Sequence, residues 1–235
     1  MKRRYFAAVL MLAMLLSGCG NAVSGTIETK PEVNKTPEST VIPAEREMPV
    51  SMGRLEGGTY INDYAGFACE LDGNWTYLGA EELQDMPENV REMIEGSELG
   101  DQLDTMNQFT DMLAENVDQM ATINVLYQKH TMQERLAYAV MDETQIMDSL
   151  LEMQDKLIEA YNQAGYAVDS MEKVTVSFLG EERVALHTAM HMQDVPYYTL
   201  QLFDYHLGQY SVTLTLASFV EDNTESLLEL FSKVE

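Results

Sequence analysis

The sequence predicts an α+β domain in which an antiparallel β-sheet, built from a hairpin and a C-terminal meander, packs against helices. Apolar and polar residues alternate with a period of two over residues 173–216, which is typical of antiparallel strands. Apolar residues recur at helical spacing over residues 146–161. Two short apolar runs separated by turn residues lie within residues 59–77 and indicate a hairpin.

The chain starts with a pattern typical of a targeting signal. Three cationic residues precede an uninterrupted apolar run, residues 5–16, that is too short for an ordinary membrane-spanning helix. The run ends in Leu16, Ser17, Gly18 and Cys19, which resembles the lipobox of bacterial lipoproteins. The resemblance implies that residues 1–18 are a signal peptide and that Cys19 is lipidated. The alternative is an ordinary secretory signal with an incidental cysteine.

A diacylglyceryl thioether on Cys19 would hold the protein on the outer face of the bacterial cell membrane without a spanning helix. Removal of residues 1–18 would take away three cations and no acid, so the mature chain would be more acidic than the net charge of −25. Such a charge argues against nucleic acid as a partner and against attachment to an anionic membrane surface.

Residues 19–52 predict a disordered stalk. The segment is rich in Thr, Glu and Ser, carries four of the six prolines and contains no aromatic residue, so it cannot bury enough apolar surface to fold. As a flexible coil it would reach on the order of 30 Å. Residues 53–235 are predicted to form a single domain, because their length suits one hydrophobic core.

The domain is expected to open with a hairpin. One strand begins at Thr59, turn residues follow at Asn62 and Asp63, and residues 67–71 return as the second strand. The turn residues 72–74 then lead into Trp75, the single tryptophan.

Helices are expected in the middle of the chain. Residues 87–94 and a second run over residues 103–120 place apolar residues at helical spacing, and the alternation over residues 121–127 then predicts a strand. Thr131 with Glu134 fits a capping box, and Asp142 with Gln145 begins a longer helix that reaches Gly165.

The C-terminal meander is predicted from a consistent register, in which turns near Gly180, Asp194 and Gly208 separate the strands. Its apolar positions are all even-numbered, which predicts that they share one core-facing side. These positions are Val174, Val176, Phe178, Val184, Leu186, Met190, Tyr198, Leu200, Leu202, Tyr210, Val212, Leu214 and Leu216. A closing helix is expected from Asp222, with Leu227, Leu228, Phe231 and Val234 buried.

This arrangement resembles the PsbP-like α/β sandwich. The residues that carry the resemblance are Tyr64, Gly66, Phe67, Gly73 and Trp75, followed by residues 210–218 before the final segment. Small lipoproteins of Gram-positive bacteria share the same layout. The resemblance implies a domain that binds or assists other macromolecules and that is rarely an enzyme.

A binding face is predicted on the odd-numbered side of the meander. A hairpin that turns about Asp194 would place His187 opposite Gln201, with Thr215 on the next strand. This polar stripe, together with the loop that ends in Trp75, is the expected contact surface. His187 and His191 would lie about 13 Å apart along a strand, which favours an outward-facing polar pair over a shared metal ion.

Other candidate sites favour structural roles. Acidic clusters at Asp63, residues 81–82, residues 101–104 and residues 221–222 lack the spacing of a calcium-binding loop, although calcium remains an alternative. The methionines at positions 86, 93, 106, 112 and 120 recur among other apolar residues, which favours core packing over copper binding. Cys69 lies in an apolar strand and is expected to be a buried, inert thiol.

The sequence contains no nucleophile elbow, phosphate-binding loop or dinucleotide-binding motif. We therefore expect no cofactor and a non-enzymatic module that binds or assembles with an envelope protein or peptide. The alternatives are a receptor for a small ligand or divalent cation and, less favoured, an envelope hydrolase that uses a pair of carboxylates.

Overall fold

The structure is a computed structural model that describes residues 53–79, 108–204 and 209–234. These residues form an α+β fold of antiparallel sheets and helices, which confirms the fold class predicted from sequence. The predictions for the signal peptide, the stalk, residues 80–107 and Gly208 lie outside the described residues. Within the described ranges, no helix has the length and apolarity that crossing a bilayer requires.

Two sheets carry the fold. The smaller has the strand order β1-β2-β3-β11 and the larger has the order β4-β5-β6-β10-β9-β8-β7. The strands are β1 (Arg54–Glu56), β2 (Thr59–Asn62), β3 (Phe67–Glu70), β4 (Trp75–Gly79), β5 (Gln108–Asn116), β6 (Ala121–Lys129), β7 (Ala167–Phe178), β8 (Glu181–Met192), β9 (Val195–Asp204), β10 (Tyr210–Phe219) and β11 (Phe231–Lys233). The helices are α1 (Met132–Tyr138), α2 (Glu143–Leu151) and α3 (Gln154–Gln163), and a 3₁₀ turn spans Ser226–Leu230.

The large sheet lies between two layers. One of its faces packs against the small sheet, where Tyr60, Phe67 and Phe231 meet Ile123 and Leu214 in one hydrophobic cluster. Helices α2 and α3 cover part of the opposite face, with their own cluster of apolar side chains. Apolar burial on both faces is the dominant favourable contribution to this arrangement.

The predicted helix starts are confirmed. Thr131 accepts a hydrogen bond from the Glu134 backbone N–H, and Asp142 accepts one from the Gln145 N–H, so both capping boxes form. The single long helix expected after Asp142 is instead two helices, α2 and α3, because the backbone leaves the helical conformation at Met153. Ion pairs of Glu143 with Arg183 and of Asp148 with Lys173 hold α2 against β8 and β7.

The second predicted helix, over residues 103–120, is wrong where the structure describes it. Residues 108–116 are β5, and residues 117–120 are a turn. Met112 and Ala114 alternate into the core between the sheets, while β5 pairs with β4 and β6 along its length. The apolar spacing also fits a helix, and the long-range strand pairing decides between the two.

The expectation that every even-numbered position of the meander shares one face is wrong for β8. Leu186 and Met190 face the helices, whereas Leu200 and Leu214 face the small sheet. The cause is the length of the hairpin loops. Two-residue loops make Val174 pair with Ala185 and Met192 pair with Val195, so each hairpin pairs an even with an odd number.

The closing helix is also wrong. After a 3₁₀ turn, residues 231–233 form β11 and pair with β3, which completes the small sheet. The Asp222 carboxylate accepts hydrogen bonds from the Thr224 N–H and hydroxyl and so closes a local turn where the helix cap was expected. The expected burial of Leu227, Leu228 and Phe231 is confirmed.

Candidate functional site

The predicted binding face is divided between the two sides of the large sheet. His187 pairs with Leu200, one residue away from the predicted Gln201, and therefore points toward the side of the small sheet. Gln201 and Thr215 do pair, and both point to the opposite side, where they are buried. Trp75 begins β4 and packs half-buried against the core between the sheets. The structure thus brings together two of the four predicted residues.

His187 holds the chain segment that follows β10. Its Nε2 lies 2.8 Å from an oxygen of Asp222, and the two side chains are 17% and 37% exposed. Burial alone would raise the pKa of Asp222, but hydrogen bonds from Thr224 and His187 outweigh burial and leave that pKa lowered. His191 forms a separate pair with Asp169, so the two histidines have different partners.

Exposed apolar side chains gather at one end of the large sheet. Val117 and Met120, in the turn between β5 and β6, are each 45% exposed, and Val220, just after β10, is 52% exposed. A hydrogen bond from the Phe219 N–H to the Met120 carbonyl, 3.0 Å long, joins the two segments. We call Val117, Met120 and Val220 the end patch.

The backbone of the end patch is strained. Met120 has a φ of +51° and Val220 a φ of +73°, both in the left-handed region. A β-branched residue there is a genuine outlier, because its Cβ crowds the following carbonyl. The Val220 N–H is held by the Pro196 carbonyl at 3.0 Å. The surrounding structure therefore fixes an exposed apolar side chain at a conformational cost.

The loop that ends in Trp75 lies at the same end of the sheet. Trp75 pairs with Asn116, the residue before Val117. Asp72, Gly73 and Asn74 are exposed, and the Asp72 carboxylate accepts a hydrogen bond from the Asn74 N–H. The sequence identified this loop without the apolar residues beside it.

On the helix side of the large sheet, polar side chains occupy adjacent positions of neighbouring strands. Asn124, Thr215 and Gln201 lie side by side on β6, β10 and β9. The next row toward the end patch holds Thr122, Ala217 and Thr199, and Thr188 extends this row onto β8. We call these polar residues the polar cluster: Thr122, Asn124, Thr188, Thr199, Gln201 and Thr215.

The polar cluster is buried but poorly paired. Each member is at most 4% exposed. Gln201 Nε2 donates to Thr215 Oγ1 at 3.1 Å. Six other side-chain atoms have no hydrogen-bond partner: Asn124 Nδ2 and Oδ1, Gln201 Oε1, and the hydroxyls of Thr122, Thr188 and Thr199. Buried polar atoms normally find partners, so these unpaired groups are a local cost to the stability of the fold.

A buried carboxylate lies between the sheets. Asp111 is located at the β-bulge of β5, and its Oδ2 accepts hydrogen bonds from the Tyr60 hydroxyl at 2.5 Å and the Gly53 N–H at 2.8 Å. Asn62 donates to the Tyr60 hydroxyl oxygen and accepts from Tyr127. Burial raises the pKa of Asp111, although its hydrogen bonds oppose that rise. The hydrogen bond from the Gly53 N–H anchors the first described residue to this network.

The cysteine prediction fits the geometry. Cys69 is buried and free, and burial raises the pKa of its thiol to about 12, which confirms the inert thiol. Within residues 53–79, 108–204 and 209–234, no group of three or more His, Cys, Asp and Glu side chains is placed to hold a metal ion. Met112 is in the core as expected, whereas Met120 is exposed.

The sequence did not predict the end patch or the roles of Asn124 and Asp111. Asn124 lies between the alternating apolar residues of β6 that predicted the strand. A polar residue on the opposite face of that strand was the feature that could have identified it. Asp111 fell within the wrongly predicted helix. No local pattern marks the end patch, because its two segments are far apart in the chain.

No protein-family model matches the chain, and no curated protein matches it. Among solved structures, the chain is similar to the solution structure of cyanobacterial PsbP (CyanoP) from Synechocystis sp. PCC 6803. The identity is 10% and the TM-score is 0.42, over 78% of this chain and 99% of that chain. This similarity concerns the fold alone.

Proposed function

We propose that the protein is a lipid-anchored, extracytoplasmic and non-enzymatic module that binds an envelope protein or peptide through the end patch. The observation that carries this proposal is an exposed valine, Val220, held on left-handed backbone beside two other exposed apolar side chains. Strained conformations that present apolar groups to solvent are typical of contact surfaces.

The charges beside the end patch favour a particular partner chemistry. Asp118 lies between Val117 and Met120 in the turn, and Glu221 and Asp222 follow Val220; all three are exposed. A complementary surface would place lysine or arginine around an apolar contact. The partner is therefore a protein or peptide with basic side chains around an apolar anchor.

Attachment through Cys19 supports an envelope partner. A lipidated cysteine followed by a stalk of residues 20–52 would let the domain search a shell near the membrane surface, which raises the effective concentration for partners located there. Residues 53–235 would act as one domain at the end of this stalk.

The non-enzymatic character rests on the state of the reactive groups that the structure describes. Asp111 is enclosed by tyrosine and asparagine partners, and burial keeps the Cys69 thiol protonated. His187 and His191 each bind a separate aspartate. The burial of Asp111 and Cys69 disfavours their use in general acid–base or nucleophilic catalysis.

The proposal is tested by quantifying what the full chain retains from envelope extracts. In the test variant, Met120→Asp and Val220→Asp are combined, since aspartate tolerates left-handed backbone and the fold is expected to persist. The matched control is Val140→Asp, because Val140 is 69% exposed and lies away from the end patch. We expect at least a tenfold loss of the retained partner for the test variant and none for the control. Equal retention by both variants would overturn the proposal.

The alternative function is a receptor for a small ligand or divalent cation, and the net charge of −25 is the observation that favours a cation. A divalent-cation receptor predicts that calcium raises the melting temperature of the full chain and that chelation reverses the effect. An envelope hydrolase predicts a carboxylate pair open to a glycan, and cleavage of wall fragments by the purified chain tests for it.

A further inference from the structure

We propose that His187 is a positioning residue for the end patch. It holds residues 219–224, which we call the turn segment, in the conformation that presents the Val220 side chain to solvent. His187 acts on the contact surface through Asp222 and does not itself touch the partner. The inference deepens the proposed function and rests on it in one respect, namely that the end patch is the contact surface.

The turn segment contains a sharp reversal of three residues. The Glu221 N–H donates to the Phe219 carbonyl at 2.9 Å, and Val220 between them has a φ of +73°. This combination defines a γ-turn with positive φ, which is rare and strained. Strain of this kind persists only where the surrounding contacts hold the backbone in place. The contacts on each side of Val220 therefore decide whether the end patch keeps its shape.

On the strand side, backbone hydrogen bonds hold the turn segment. The Phe219 N–H donates to the Met120 carbonyl and the Val220 N–H donates to the Pro196 carbonyl, each at 3.0 Å. One acceptor lies in the turn between β5 and β6, and the other lies near the start of β9. These bonds fix where the turn begins, but they do not fix the path of the chain after Val220.

On the far side of the turn, a side-chain contact fixes that path. The Asn223 N–H donates to Ser218 Oγ at 3.1 Å, so the chain has turned back toward β10. Beside it, the Asp222 carboxylate lies 2.8 Å from His187 Nε2. His187 belongs to β8, and β9 lies between β8 and β10. The contact therefore ties the turn segment to a strand two positions away in the large sheet.

The charge of Asp222 identifies the donor in this contact. Burial opposes ionisation of Asp222, but hydrogen bonds from Thr224 and His187 outweigh burial and lower its pKa. An ionised carboxylate only accepts hydrogen bonds, so His187 Nε2 carries the proton and donates. Hydrogen bonds to a charged acceptor are stronger than neutral ones. The bond from His187 therefore offsets part of the strain at Val220.

His191 is a natural comparison on the same strand. Its Nδ1 lies 3.0 Å from an oxygen of Asp169, which belongs to β7. His191 is paired across the sheet with Pro196, whose carbonyl accepts from Val220, so it lies close to the turn segment. Its side chain nevertheless holds β7. Removing it breaks an equivalent histidine–aspartate contact without releasing the turn segment.

Amide hydrogen exchange of the full chain, resolved by NMR, tests the inference without a partner. In His187→Ala, the amide protons of Val220 and Glu221 should exchange at least about tenfold faster, because loss of a hydrogen bond to a charged group lets the turn open more often. His187→Gln should restore slow exchange, since the glutamine Nε2 has about the same reach and can donate to Asp222. The matched control, His191→Ala, should leave both amides unchanged.

Retention of the partner from envelope extracts links the turn segment to the contact. We expect His187→Ala to retain at least threefold less partner than the wild type, because the released turn segment no longer holds Val220 in place. His187→Gln and His191→Ala should retain as much as the wild type.

Unchanged exchange at Val220 and Glu221 in His187→Ala would overturn the inference, and so would equal acceleration in His191→Ala or fast exchange that persists in His187→Gln. Fast exchange in His187→Ala combined with full retention would overturn the link to the end patch. A wild type that retains no partner would instead contradict the proposed function. The exchange rates would still decide whether His187 fixes the turn segment, so the two proposals fail separately.

Discussion

Asp111 is the residue whose chemistry depends most on burial. One oxygen of its carboxylate accepts hydrogen bonds from Gly53, Tyr60 and Asn62, while its other oxygen has no partner. Because burial raises its pKa in the folded protein, the folded state holds a proton more tightly than the unfolded chain. The contribution of this group to stability is therefore greatest at low pH and is lost as the pH rises through the raised folded pKa.

Replacing Asp111→Asn should change how stability depends on pH. The variant should gain stability relative to the wild type as the pH rises from 4 to 7, because the wild type loses the stabilisation that comes from its bound proton and the asparagine amide does not titrate. Urea unfolding of both proteins at several pH values measures this difference. A difference that is constant over this range, or that moves in the opposite direction, would contradict the assignment of a raised pKa.

The left-handed backbone at Val220 is expected to lower the free energy of unfolding while it presents the valine side chain in the end patch. Val220→Gly relieves the left-handed strain and should raise the free energy of unfolding by about 0.5 kcal/mol after the backbone entropy of glycine is subtracted. Val140→Gly is the matched control and should lower it, because Val140 does not have a positive φ. Thermal or urea unfolding measures both. Destabilisation of equal size in the two variants would show that Val220 is not strained.

The sequence predicted contacts between residues close in the chain and cross-strand pairs whose register is set by a short loop. The pairing of Thr215 with Gln201 was predicted because both belong to alternating strands joined by one loop. His187 was placed on the wrong face because a one-residue difference in loop length reverses every side chain of a strand. Asp111 and Asn124 are notable because they are buried, and burial cannot be read from a single sequence.

At the level of secondary-structure elements, the helix starts were predicted correctly. Some strands were predicted as strands, whereas others were predicted as helices. A capping box is contained within four residues, so Thr131 and Asp142 predict the starts of their helices without any tertiary information. Strand β11 pairs with β3, and strand β5 pairs with β4 as well as with the adjacent β6, so each has a partner that is distant in the chain. Their local sequences fit a helix equally well, so pairing within the sheet determines that they are strands.

Asp142→Ala should lower the free energy of unfolding by about 1 kcal/mol through loss of the cap of α2. Asp142→Asn keeps a capping oxygen and should cost much less. Chemical denaturation of the three proteins gives the comparison. If Ala and Asn cost the same, the cap does not stabilise α2, and the ion pairs of Glu143 and Asp148 hold the helix instead.

At the level of the whole molecule, the proposed function joins an acidic binding domain to a lipid anchor on Cys19. Cys19→Ala should prevent lipid attachment, so the chain should no longer sediment with membranes and should lose metabolic labelling by a fatty acid. Fractionation of cells that express the two forms tests this. Retention of the label in Cys19→Ala would exclude Cys19 as the lipid site, and an unlabelled wild type would favour the ordinary secretory signal.

The overall α+β architecture was predictable because three strong periodic patterns, the hairpin, the stripe of α2 and α3, and the meander, agree with one another. The division of the strands into two sheets was not predictable. It depends on β11 returning to β3 and on β10 pairing with β6, and both contacts join segments that are remote in sequence.

Photo-crosslinking in intact cells from single positions of the full chain tests most directly whether the end patch binds a partner. A photoreactive residue is placed at Val117, Met120 or Val220 and, as the control, at Val140. We expect one discrete adduct with the same envelope protein from all three end-patch positions and none from Val140. Absence of an adduct from the end patch, or the same adduct from Val140, would contradict the claim that the end patch binds a partner.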